Sequence, residues 1–93
     1  MKESAIEAWM VRAIRSRGGL CYKWVSPGTT GVPDRIVILP GGRTIYVELK
    51  TEVGRLSEIQ KHIHAELRKR GADVRTLYGL DQVKAFVEEV MPK

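Results

Sequence analysis

Cysteine is almost missing from these 93 residues. A lone Cys21 can build neither an intramolecular disulfide nor a cysteine zinc site, which points to a reducing, intracellular setting. No apolar run approaches the ~20 residues of a membrane span. The opening segment MKESAIEAW is amphipathic and acidic, so neither an anchor nor a signal peptide is expected. Repeats, low-complexity stretches and linkers are absent too. His62 and His64 lack a partner at metal-ligand spacing, and two apart on a helix they fall on different faces, so both are expected at the surface. A disulfide-stapled fold, a membrane protein and a zinc module are all disfavoured.

What is there suits one small domain, residues 1–93, with 43% hydrophobic residues to build its core. A domain of this size buries only roughly two-thirds of its unfolded surface, so a dimer interface is a natural way to hide more apolar area. Sixteen Lys and Arg against 11 Asp and Glu give a formal charge of +5. That balance favours a polyanionic partner, because each neutralised phosphate releases condensed counterions.

Ser4 precedes Ile6, Trp9, Met10, Ala13 and Ile14, whose spacings of three and four define one face of a helix ending near Gly18 and Gly19. Residues 20–25 read as a strand and 26–32 as a Pro- and Gly-rich loop leading to Pro33 and Asp34. The β-branched run 36–39, the turn Pro40-Gly41-Gly42 and residues 44–50 make a hairpin. A helix over 56–70 points Leu56, Ile59, Ile63 and Leu67 inward, and Gly71 stops it. A strand at 73–78 and a helix over 81–91, with Val83, Phe86, Val87 and Val90 inward, complete the chain. The order αβββαβα predicts an α/β fold with a mixed central sheet flanked by helices, the last strand joining parallel to its neighbour through a right-handed crossover.

Asp34 opens one hairpin strand, and Glu48 and Lys50 lie two apart on the other, so the latter two share a face of the sheet. An odd turn, such as three residues, places Asp34 opposite Glu48 on that same face, whereas an even one separates them. Two carboxylates at one site resist joint ionisation unless a cation compensates them, and hard oxygen ligands suit Mg²⁺ or Mn²⁺. Lys50 could then orient or help deprotonate a water and add positive charge to the transition state. The plain alternative makes Glu48 and Lys50 surface charges and Asp34 a loop residue.

Gly31-Val32-Pro33-Asp34, Glu48-Leu49-Lys50 and the stretch from Ser57 to Gln60 resemble the PD-(D/E)xK nuclease signature, and more narrowly its VRR-NUC branch, over nearly the whole chain. The resemblance implies a restriction-endonuclease-like core in which Asp34, Glu48 and the Leu49 carbonyl hold the metal, Lys50 is the catalytic lysine, and Gln60 supports the site. It also implies a homodimer associated with branched DNA such as four-way junctions or flaps, hydrolysing DNA to 5′-phosphate and 3′-hydroxyl products.

Several side chains have two readings. Ser57-x-x-Gln60 is a capping box, yet Gln60 also lies on the inward stripe of its helix, where a polar group needs a partner. Ser4-x-x-Glu7 is likewise a capping box, while neighbouring nuclease families complete the metal shell with a glutamate from this helix. Lys23, Ser26, Arg35, Arg55 and Lys61 flank the expected site as candidate phosphate contacts. Trp9 and Trp24 are expected in the core or at a dimer contact. The function expected is a metal-dependent deoxyribonuclease, with a non-cutting DNA-binding module or a dimeric adaptor of replication proteins as alternatives.

Overall fold

A computed structural model describes residues 1–92. Its elements follow the expected order: α1 (Glu3–Ser16), β1 (Leu20–Lys23), β2 (Arg35–Ile38), β3 (Thr44–Lys50), α2 (Glu58–Lys69), β4 (Asp73–Tyr78) and α3 (Leu80–Val90). The sheet runs β1-β2-β3-β4, antiparallel across the first two pairs and parallel across the last.

Side chains alternate across β3, so its two faces have different work. Ile45, Val47 and Leu49 point with Val37 and Leu77 into a core completed by Ile6, Met10 and Ile14 of α1 and Val83, Phe86 and Val87 of α3. The opposite face carries Thr44, Tyr46, Glu48 and Lys50 and meets α2, which packs against β4. The helical stripes read from the sequence are therefore the buried ones in α1 and α3. In α2 the buried position is His64 rather than the expected apolar stripe: Ile63 and Leu67 are half-buried, and Ile59, one position before Gln60, is 45% exposed.

The hairpin turn has the odd length that the chemistry requires. Arg35 pairs with Val47 and Ile38 with Thr44. Leu39 N–H donates to the Arg43 carbonyl at 2.8 Å, which leaves Pro40, Gly41 and Gly42 as the turn. One step beyond the Arg35–Val47 pair, the same register sets Asp34 against Glu48.

Two local expectations change. The first helix begins at Glu3 with Lys2 in the capping position and no side-chain cap, so Ser4 falls inside the first turn and the Ser4–Glu7 capping box does not form. The first strand stops at Lys23, although Trp24 N–H still donates to the Asp34 carbonyl at 2.9 Å. Trp24 instead stacks obliquely on Tyr46, with ring centroids 5.1 Å apart, while Trp9 packs at the edge of the core with the Lys84 ammonium 5.7 Å from its ring. Among the described residues, no helix is long and apolar enough to cross a membrane.

Candidate active site

The chain reaches Asp34 through Gly31, Val32 and a buried Pro33. Gly31 has φ +101°, and a Cβ there would meet the Ile59 carbonyl oxygen at 2.9 Å. Only glycine lets the loop bend this way while lying directly on α2. The Asp34 carboxylate is then fixed by the neighbouring strand, where Leu49 N–H donates to Oδ2 at 2.9 Å.

Glu48 comes from the middle of the buried strand and is 2% exposed. Burial pushes its pKa up to about 7, the Asp34 carboxylate pushes in the same direction, and the Lys50 ammonium opposes them. Lys50 Nζ lies 3.6 Å from Glu48 Oε2, and Gln60 Nε2 donates to the same oxygen at 3.3 Å. Oε1 is buried and has no hydrogen-bond partner.

Gln60 satisfies both of its expected roles at once. Ser57 N–H donates to its Oε1 at 2.9 Å, its own backbone N–H donates to Ser57 Oγ at 3.2 Å, and its amide nitrogen is left for Glu48. The cap uses the oxygen end of the amide and the site uses the nitrogen end, so the two readings do not compete.

His64 corrects the expectation of a surface histidine. It is fully buried, and its Nε2 stands 4.0 Å from Glu48 Oε1. Burial and the Arg68 cation hold its pKa below the ordinary 6.5, against the Gly31 carbonyl, which favours the charged ring. Neither ring nitrogen completes a hydrogen bond. The missed signal was helical spacing: His64 is one turn beyond Gln60 and shares its face, whereas His62 is exposed as expected.

Glu7 and Arg35 are not drawn into this cluster. Arg35 alternates with Asp34 onto the α1 side of the sheet, where its Nε donates to Glu7 Oε2 at 2.7 Å and its Nη1 to the Cys21 carbonyl at 3.4 Å. The Glu7 carboxylate and the Arg35 guanidinium thus pair with each other on the face of the sheet away from Glu48 and Lys50. Lys23, Arg55 and Lys61 are exposed; Lys23 pairs with Arg35 and so lies on the α1 side of the sheet, Lys61 stands 3.6 Å from Glu58 Oε1, and Ser26 lines a groove with Trp24, His62 and Ile63.

The donor set fits a hard divalent cation. Asp34 and Glu48 supply oxygen ligands, one Glu48 oxygen is buried without a partner, and their mutual repulsion is the kind a cation relieves. Two carboxylates suit Mg²⁺, which keeps several of its own waters. Among the described residues no group of three or more acidic, histidine or cysteine side chains converges, so the remaining ligands would be backbone carbonyl, water and substrate oxygens.

A helix–strand–hairpin core presenting a paired acid and lysine on one sheet face defines a nuclease-type α/β fold. The profile of the VRR-NUC domain family matches residues 1–81, and the chain belongs to that family. A solved structure described as a VRR_NUC domain superposes with a TM-score of 0.88 at 32% identity, covering 95% of this chain and 96% of the other. A relative bearing the name "Putative nuclease p44", from Acyrthosiphon pisum secondary endosymbiont phage 1, is 42% identical over 81 residues, 87% of each chain. At the level of the family, the chain is a nuclease.

Proposed function

We propose that this nuclease is a Mg²⁺- or Mn²⁺-dependent deoxyribonuclease acting on branched DNA as a homodimer. The observation that carries the reading is the half-buried Asp34 set against the buried Glu48, whose pKa is raised to about 7 beside Lys50. Without a compensating cation such a pair costs stability, so its presence on the sheet face needs a reason beyond folding.

Asp34 and Glu48, together with the Leu49 carbonyl, would hold the metal. When bound, the cation polarises the phosphoryl oxygen and offsets the charge that develops on it. Lys50 orients the attacking water and faces the developing negative charge with its ammonium group, while the water gives its proton to bulk solvent and the leaving 3′ oxygen takes one up from it. Gln60 keeps the Glu48 carboxylate in place. Attack of water on phosphorus in line with the leaving 3′ oxygen breaks the P–O3′ bond and leaves a 5′-phosphate and a 3′-hydroxyl, with no covalent enzyme intermediate. The net charge of +5, with Arg55 exposed on the segment joining β3 to α2 and Lys61 exposed next to Gln60 in the chain, supports a polyanionic substrate read through its backbone.

Cleavage of labelled duplex, flap and four-way-junction DNA tests the reading. Wild type is expected to cut in Mg²⁺ or Mn²⁺ and not in EDTA, with the branched substrates cut fastest. Asp34→Ala and Lys50→Ala are each expected to reduce the rate by about 100-fold or more, on the scale of losing one electrostatic catalytic group. Wild type that binds these DNAs without cutting any of them would leave a binding module instead.

A further inference from the structure

Glu48 is gripped on one side only. Oε2 receives Gln60 and sits near Lys50, while Oε1 is buried without a partner. Facing that free oxygen is Nε2 of His64, 4.0 Å away on a ring that is itself fully buried and makes no hydrogen bond. Thr76, paired with Glu48 across the parallel ladder, likewise buries an Oγ1 with no partner. A leucine at position 64 would cover apolar surface without any such unmet demand, so the imidazole calls for an explanation.

We propose that His64 is a positioning residue for Glu48: its Nε2–H fixes Oε1 while Gln60 and Lys50 fix Oε2, so that the carboxylate is presented to the divalent cation in one orientation. This inference rests on the metal-dependent reading of the site. Gln60 and His64 stand one helical turn apart, so a single rigid element supplies a grip on each carboxylate oxygen. A neutral donor suits the second grip, because another ammonium there would repel the metal. The 4.0 Å separation is about 1 Å longer than a hydrogen bond, and contacts of this kind shorten when a site is filled. Partners that orient a ligating carboxylate typically change metal affinity about 10- to 100-fold when removed.

Mn²⁺ binding to the DNA-free protein, followed by the electron paramagnetic resonance of free Mn²⁺, tests this with His64→Leu and His64→Gln. His64→Leu is expected to weaken binding about tenfold or more, and His64→Gln, which keeps an N–H donor, to recover most of the loss. A folded His64→Leu with wild-type affinity overturns the proposal, as does a His64→Gln no better than the leucine variant. Should the leucine variant fail to fold, the imidazole ¹⁵N resonances of the wild type decide. His64 is expected to carry its proton on Nε2 and to shift on adding Mg²⁺ while His62 does not. A proton on Nδ1, or an unmoved His64, overturns the proposal. Wild type that shows the Nε2–H ring but binds no Mn²⁺ overturns the metal reading and this inference together.

Discussion

Glu48 holds its proton more tightly in the folded chain than in the unfolded one, because burial and the Asp34 carboxylate outweigh the help of Lys50. A carboxyl raised from its ordinary 4.5 to about 7 therefore removes stability from the metal-free protein as pH climbs between those values, after which the loss is complete. His64, with its pKa lowered, acts in the opposite sense, adding stability as pH rises through the ordinary 6.5. The Glu48 contribution is thus read as a difference between proteins. In urea unfolding without metal, Glu48→Gln is expected to gain on wild type as pH goes from 5 to 8, reaching roughly 1–3 kcal/mol. A constant difference across that range would mean that the carboxylate is not strained by burial.

At the scale of elements, α2 is both a support and a part of the site. Ser57 serves only its cap, so Ser57→Ala is expected to cost about 1 kcal/mol of stability and leave Mn²⁺ affinity unchanged. Gln60→Ala removes a cap and a Glu48 contact together, and is expected to lower both quantities in the same urea and Mn²⁺ titrations. Much of this architecture was legible in the sequence. The β3 and β4 boundaries, the parallel pairing and the Asp34–Glu48–Lys50 face follow from alternation and from the length of one turn, which are local properties. His64 was not legible as a pair with His62, since its place depends on the face shared with Gln60 and on the loop held close at Gly31. Glu7 shows the limit in the other direction: its Arg35 partner lies 28 residues away, and no local pattern chooses between a cap, a metal and a guanidinium.

For the whole molecule, one of the two edge strands of the sheet carries exposed apolar side chains. The edge strand β1 exposes Leu20 and Tyr22 opposite the core, Tyr22 at 58%, and Val25 follows at 71%. Apolar side chains grouped on an unpaired edge favour self-association, which supports the proposed homodimer. Sedimentation velocity is expected to give twice the chain mass of 10.5 kDa at micromolar concentration, and Tyr22→Asp to shift the protein towards monomer. An unchanged dimer in that variant would move the interface elsewhere. If Asp34 and Glu48 close around a divalent cation, the folded protein gains stability from it, which thermal unfolding at pH 7.5 in Mn²⁺ against EDTA measures. Wild type is predicted to melt several degrees higher in Mn²⁺, by selective binding to the folded state, and Asp34→Asn to lose that gain. Equal melting of wild type in Mn²⁺ and EDTA would contradict the account.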